Sequence, residues 1–540
     1  MKQKESQTLD APLPPADRAG VTPKQYNRVF YRILLIFTIA LAVAGNIVWP
    51  TPRWDIYEMI GAGREWVIGN FRGDISSAWI AEIFAGPFGG APFMVYIASA
   101  LCTAGTIWCV WRLCREYLDA KRACFAALLL TTFYYTCIGG IFYNRNVVHC
   151  LFWYIAILIY FYTLKTGKLL WWIALGVSMG FALLSHYPAI FLAGAMVTYA
   201  LGTSHRKVFK TPGPYLAVAI ASSMFLPHVL FLHEHYDHIH AYINTKKPKN
   251  GCFPLAMVTG WGSQLGMIAP MILSLLPILI FKKDTAKKAP RRERPDSDPL
   301  KNFPLAMLLL PMPFLVIAQV LNGVAFRLPS YGFQLWELVP LCLLYYLPSK
   351  DDAPSWKKSI TLCAVFATIV FLTLPIQTLA GYFFPGEEAA EHLRPARALS
   401  RQIDELWAAE YPDLPCAFVG GEQQTRFLYG VFSQFKPQID SYDYAGWNVD
   451  KSKSEGGILV WLPKDAPDGK SAFPDDLKKR FPTAHFVAQV TAPCITFPGI
   501  VTDTWNVAIL PPAGETAKTA EAETTETAKE RTQRKAPELP

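Results

Sequence analysis

Apolar residues in this chain gather in runs that are too long and too continuous to be the inward stripe of a helix wetted on one side. Such runs lie near 30–49, 92–113, 123–142, 147–164, 169–185, 187–203, 214–233, 263–281, 303–321, 333–348 and 360–380. Each reads as a membrane crossing, about eleven in all, although several are shorter than the roughly 20 residues of an upright span. The pattern predicts a polytopic α-helical membrane protein. After residue 381 it changes. Short runs such as CAFVGG (416–421), GILVWL (457–462) and HFVAQV (485–490) alternate with polar, helix-compatible stretches, which predicts a soluble α/β domain over 381–513. Residues 514–540 are rich in Ala, Glu, Thr and Lys and carry no aromatic residue, the composition of a disordered tail.

Composition agrees: 52% of the 540 residues are hydrophobic and 17% charged, too apolar for a soluble protein of this size. Sixteen Trp, 24 Tyr and 34 Phe suit repeated passage through membrane–water interfaces. The first 25 residues are polar and contain Pro, and the run after them is long enough to span, so a retained first crossing is expected rather than a cleaved signal.

Charge orients the spans. The clusters Arg112/Arg115/Lys121/Arg122, Lys165/Lys168, Arg206/Lys207/Lys210, Lys282 to Arg294 and Lys350/Lys357/Lys358 fall on the same side as the N-terminal tail, 1–29. By the positive-inside rule that side is the cytoplasm. A transmembrane domain over 30–380 then leaves the first loop (50–91), a His-rich loop (233–262) and the α/β domain outside, in the periplasm of a cell with an inner membrane. Most of the eleven Cys lie in apolar runs and read as small buried hydrophobes. Of those in outside segments (Cys252, Cys416, Cys494), Cys416 and Cys494 form a candidate disulfide.

Candidate chemistry begins in the first loop, WDIYEMIGAGREWVIGNF (54–71). Wound as a helix at 100° per residue, it places Asp55, Glu58 and Glu65 within about 80° of one another and Ile56, Ile60 and Val67 within about 40° on another face. That is an amphipathic helix for a membrane surface, ended by Gly69-Asn70, with a second short helix around Ser76–Phe84 and Asp74 as its cap. Its acids are either a solvated face or carboxylates acting on a lipid-linked headgroup. HEHYDHIH (233–240) sets His233 and Asp237, and Glu234 and His238, at i, i+4 spacing. With His235 between them this is the ligand density of a divalent-metal site, against the plainer alternative of a wet interfacial helix. Glu337, beside Trp336 in an apolar run, is an intramembrane acid, and so is either functional or paired. GxxxxGK[ST], CxxC and HExxH are absent, so a nucleotide-phosphate loop is not expected; no nucleic-acid partner is expected either.

The order of a first crossing, an outside loop opening on an acid, short paired helices, many crossings and a soluble outside domain resembles the GT-C membrane glycosyltransferases. Within them it is similar to the family 39 branch that holds the bacterial lipid A aminoarabinose and galacturonic acid transferases, related to the dolichyl-phosphate-mannose-protein mannosyltransferases. The stretches that carry the resemblance are the first loop, YNRN (143–146), LLSHYPAIFL (183–192), LPHVLFLHEHYDHIHAYI (226–243), QLGMIAPMIL (264–273) and YGFQLWELVPL (331–341). Two places depart from the branch. FRGDISSAWIAEIF (71–84) stands where a His-Pro-Pro-Leu element is usual, and His186 stands where a Lys is frequent.

The resemblance implies transfer of a sugar from a polyprenyl-phosphate donor to lipid A or another envelope glycan, with inversion at the anomeric carbon. It makes Asp55 the general base for an acceptor hydroxyl. Should the acceptor be a phosphate, Asp55 would instead orient it or balance charge. Glu58 is the second acid, holding a sugar hydroxyl, a cation or an acceptor amine. Arg145, His186, Arg327, Arg64 and Arg72 are the candidate cationic partners of the leaving phosphate, with Glu65 beside them on the substrate side. Two other functions fit the same topology: a transporter or flippase of a polyprenyl-linked intermediate, and a catalytically degenerate GT-C partner protein.

Overall fold

The computed structural model describes residues 22–49, 51–70, 73–237, 240, 253–279, 295, 297–322, 334–383, 393–440, 454–463, 473–495 and 500–513. The tail at 514–540 and the first 21 residues lie outside this set. The described helices are α1 (Pro23–Val48), α2 (Trp54–Arg64), α3 (Ile75–Ala85), α4 (Pro92–Tyr117), α5 (Ala120–Leu128), α6 (Tyr134–Ile141), α7 (Arg145–Thr166), α8 (Leu169–Ser185), α9 (Ala189–Gly202), α10 (Gly213–Glu234), α11 (Phe253–Leu275), α12 (Phe303–Leu309), α13 (Pro311–Asn322), α14 (Val339–Tyr346), α15 (Ala353–Phe383), α16 (Ala396–Glu410), α17 (Gln423–Phe432) and α18 (Asp475–Arg480). Five strands are described: β1 (Phe418–Gly421), β2 (Gln438–Ile439), β3 (Gly457–Trp461), β4 (His485–Ile495) and β5 (Ile500–Leu510).

These elements form two compact units. The first comprises Met1–Ile47, Ile68–Ile80 and Phe93–Ile376, and the second Val48–Val67, Ala81–Pro92 and Gln377–Pro540. The outside loop is therefore shared: α2 belongs to the second unit, and the turn before α3 to the first.

By length and composition, six helices among the described residues are apolar enough to cross a membrane, or seven if the bent pair α5–α6 counts as one span. About eleven are expected from the apolar runs, a count that the described residues do not show. Helix α8 has 17 residues and α9 has 14, about 25 and 21 Å at the α-helical rise. Over 333–348 the described helix is only α14, with 8 residues. Close approach of α8 and α10 depends on GxxxG spacing at Gly176 and Gly180. A Cβ on Gly176 would lie 2.7 Å from the Ala217 carbonyl oxygen, and one on Gly180 would lie 2.6 Å from Met224 Sδ.

In the second unit the strands make one mixed sheet of order β2-β1-β3-β5-β4. β1 is parallel to β2 and β3, while β5 is antiparallel to β3 and β4. Phe418, Leu459, Trp461, Leu477, Phe481, Ala508 and Leu510 close a core over one face. Buried Asp404 on α16 accepts from the Tyr429 hydroxyl (2.9 Å), Ser433 Oγ (2.6 Å) and the Gln434 N–H (2.8 Å), which ties α16 to the end of α17. The mixed α/β character expected after residue 381 is present. The candidate disulfide is not: Cys416 and Cys494 are separate buried thiols, donating to the Phe418 and Leu393 carbonyls. Cys252 lies outside the described residues.

Candidate functional site

In the second unit α2 is not the surface helix that its periodicity suggests. Ile56, Tyr57, Glu58, Met59, Ile60 and Ala62 are all at most 2% exposed, so polar and apolar faces alike are covered. Part of the cover comes from the α/β domain. Gly61 permits it, since a Cβ there would meet Ile439 Cδ1 at 2.9 Å, and the Tyr57 ring lies 6.0 Å from Phe427. An amphipathic pattern registers a covered face and a polar one but not what covers them, and here protein takes both.

The three acids consequently part company. Asp55 is half-buried in the first turn, where the helix dipole favours a carboxylate. Glu58 is wholly buried. Glu65 is the exposed C-cap residue of α2. Arg64, proposed from sequence as a phosphate partner, donates through Nη1 to the Gly430 carbonyl at 3.1 Å. Desolvation lowers the pKa of its guanidinium, opposed by the charges of Glu82 and Glu65. Partial burial raises the carboxyls of Glu82 and Glu65 in turn, against the pull of Arg64. Arg64 is thus committed at least partly to holding α2 on α17.

The first unit gathers a second group of side chains at the start of α7. Asn144 caps that helix, its Oδ1 accepting from the Asn146 (2.8 Å) and Val147 (3.3 Å) N–H groups. Arg145 follows as the first helical residue, and its charge acts on both His149 and His186. The two imidazoles are buried, with ring centroids 5.5 Å apart. His149 Nδ1 lies 3.2 Å from the Ala182 carbonyl and from Ser185 Oγ. A carbonyl only accepts, so Nδ1 carries the proton. That leaves Nε2 as a buried acceptor, without a donor among the described residues.

Next to this group, the Tyr187 hydroxyl and His228 Nε2 are hydrogen-bonded at 2.9 Å. The loop before α3 closes over Tyr187. Asn70 Oδ1 accepts from the Gly73 and Asp74 N–H groups, Asn70 Nδ2 donates to the Asp74 carboxylate, and Gly73 has φ +70° with its Cα against the Tyr187 ring. This is the place where the resembling family carries His-Pro-Pro-Leu. Gly73→Ala meets both a left-handed backbone and Tyr187 ring atoms at 2.7 Å, whereas Gly89→Ala meets φ +66° and open space. Thermal melts in detergent should show a loss of about 1 kcal/mol for Gly89→Ala and about 2 kcal/mol for Gly73→Ala, the excess reporting the Tyr187 contact.

Glu337 now has its partners. Wholly buried, it accepts from Cys150 Sγ (3.0 Å), the Tyr154 hydroxyl (3.0 Å) and the Trp336 N–H (3.1 Å). The Trp336 indole N–H donates to Gln264 Oε1 at 3.2 Å, and Gln264 Nε2 donates to the Tyr135 hydroxyl at 2.7 Å.

Of the residues singled out from sequence, the structure brings Arg145 and His186 together in the first unit, and Asp55, Glu58, Arg64 and Glu65 on or at the end of α2 in the second. Arg72, Arg327 and His238 lie outside the described residues. His233 and Asp237 are exposed, and His235 is the C-cap of α10, with Nδ1 2.9 Å from the Phe231 carbonyl. Among the described residues no three His, Cys, Asp or Glu are grouped to hold a metal ion. His149, Tyr187 and His228 were not singled out. His149 follows Arg145 at i+4, the one spacing that could have shown the pair.

A family model described as dolichyl-phosphate-mannose-protein mannosyltransferase matches residues 75–231, from the start of α3 almost to the end of α10. No curated protein matches the chain. Among solved structures, ArnT from Cupriavidus metallidurans bound to undecaprenyl phosphate superposes with a TM-score of 0.55 at 12% identity, over 90% of this chain and 98% of ArnT. Its apo state gives a TM-score of 0.46 at 13% identity, over 91% and 98%. At such identity the likeness to the bound state is one of fold, and it covers 90% of this chain: a polytopic α-helical membrane protein with a C-terminal mixed α/β domain.

Proposed function

We propose that the protein is a membrane glycosyltransferase that moves a sugar from a polyprenyl-phosphate donor to lipid A or another envelope glycan on the periplasmic side. The observation that carries this reading is the grouping of Arg145 with the buried imidazoles of His149 and His186 at the N-terminus of α7. A guanidinium at a helix N-terminus suits a phosphate, and a buried Nε2 acceptor suits a sugar hydroxyl. A fold shared with a protein solved with undecaprenyl phosphate bound supports the choice of donor.

In the reaction an acceptor oxygen attacks the anomeric carbon, the bond from that carbon to the phosphate oxygen breaks, and the polyprenyl phosphate departs with the bonding electrons. Arg145 stabilises the charge that grows on the phosphate. Asp55 takes the proton of an acceptor hydroxyl, and the buried Glu58, one turn on, positions the helix that presents it. Arg72 and Arg327 remain candidates for the phosphate. No step is assigned to a metal.

The test is genetic and chemical. A deletion strain is complemented with wild type or Arg145→Ala at matched protein levels, and envelope glycolipids are compared by mass spectrometry. A sugar-sized mass should vanish on deletion, return with wild type and stay absent with Arg145→Ala. An unchanged glycolipid profile on deletion, or full restoration by the variant, would sink the reading.

A further inference from the structure

The first unit carries a groove of about 570 Å³ lined by Pro277, Pro354, Lys357, Lys358, Thr361 and Leu362. Its wall is almost wholly apolar, made by the two prolines, Leu362 and the carbon stems of the α15 side chains, and the exposed Lys357 and Lys358 stand at its edge. By the distribution of basic residues this end of α15 faces the cytoplasm.

The cations around it fall into two kinds. Arg122 is buried and paired with Asp119, and lies 3.9 Å from Asp351. Lys121 lies 3.4 Å from Asp351 and 4.2 Å from the Trp356 ring centre. These charges are neutralised inside the protein. Lys357 and Lys358 are exposed and make no ion pair or hydrogen bond among the described residues. Asp352, the nearest unpaired acid in sequence, accepts from the Ser355 N–H at 2.8 Å and so caps α15. Among the described residues no acid takes up the positive charge of Lys357 and Lys358.

The surface below the groove shows what kind of molecule. At 100° per residue, Leu362, Val365, Ile369, Leu372 and Ile376 all fall within about 40° of Lys358. The last four are 46%, 55%, 44% and 60% exposed. An apolar stripe therefore starts directly beneath the Lys358 ammonium and runs about 27 Å down the helix at its normal rise, the hydrocarbon side of one bilayer leaflet and more. A free phosphate would use only the lysines. An amphiphile uses both.

We infer that Lys357, Lys358 and Thr361 bind the phosphate headgroup of an anionic glycerophospholipid of the cytoplasmic leaflet, with an acyl chain along the Leu362–Ile376 stripe. Polybasic residues at this depth each contribute to anionic-lipid binding, and two of them over an apolar floor favour one held lipid over a diffuse charge cloud.

The full-length protein in neutral detergent is titrated with dioleoyl phosphatidylglycerol or dioleoyl phosphatidylcholine, and bound lipid is counted by native mass spectrometry. Phosphatidylglycerol should bind on the order of tenfold more tightly. Lys357→Gln/Lys358→Gln should reduce that preference to less than about twofold, whereas Lys207→Gln/Lys210→Gln, an equal change in charge elsewhere on the same side, should leave it intact. All four lysines are exposed, so folding is not at stake. Equal binding of the two lipids, or equal loss in both double variants, would overturn the site. Displacement of the phospholipid by millimolar glycerol 3-phosphate would overturn the lipid reading in favour of a simple anion site.

Discussion

Asp55→Asn is expected to lower the single-turnover rate of sugar transfer by about 10²–10⁴, the usual worth of a positioned general base, with donor affinity within threefold of wild type. The substitution is nearly isosteric. It removes a negative charge from the first turn of α2, where Arg53 at the N-cap makes no side-chain cap bond, so it should cost only about 0.5 kcal/mol of stability. Rate and fold can thus be separated by pairing the kinetics with a thermal melt. Glu58→Gln is the informative comparison. Glu58 lies wholly within the second unit, so its variant should move the melt as well as the rate. A rate for Asp55→Asn within threefold of wild type would remove this residue from the chemistry and leave Asp55 as an orienting charge, the role suited to an acceptor that is already anionic.

The legible parts of this molecule were those set by continuous composition. Long apolar runs, and lysines and arginines placed to one side of them, predicted the polytopic architecture, because a span must be apolar throughout. The change of period at residue 381 likewise predicted the α/β domain. Contingent features were harder. Apolar runs at 169–185 and 187–203 form helices of 17 and 14 residues, ended at His186 and Thr203, ends that the apolar run alone does not mark. Strand β5 was missed because TDTWNVAIL mixes polar and apolar residues without clean alternation: Trp505, Val507, Ala508 and Ile509 are all buried, as is Asn506. The burial of α2 depends on Gly61 and on Phe427 and Ile439, more than 360 residues away. Within the candidate site, Arg145 and His186 were legible one at a time as polar residues beside apolar runs. His149 was not, because an imidazole inside a span resembles any other satisfied core residue until its neighbours are known.

Glu337→Ala should be the most destabilising single change in the first unit named here, costing about 3 kcal/mol in reversible unfolding from mixed micelles. The estimate follows the hydrogen bonds. Tyr154 has an alternative acceptor in the Gln334 carbonyl at 3.1 Å, and a thiol loses little when Cys150 goes unmatched. The Trp336 backbone N–H has no such reserve, and a buried donor left unsatisfied costs about 1–3 kcal/mol. The missing carboxymethyl group adds a cavity term. Relief comes from one direction only. Glu337 already borders a pocket with Thr103, Thr106, Tyr135, Thr136, Val147 and Cys150 of about 10 Å³, close to the room one water needs, so a water entering the enlarged space can accept from Trp336 and cap the loss. Glu337→Gln keeps a carbonyl oxygen for Tyr154 and Trp336 but turns an amide N–H toward a sulfur, and should cost about 1 kcal/mol. An ordering of Ala well below Gln, with Gln just below wild type, would show that the carboxylate acts as the shared acceptor joining α7 to the segment before α14. Equal costs would mean that the residue matters for its volume rather than for its oxygens, and two variants as stable as wild type would show that the network holds nothing in place.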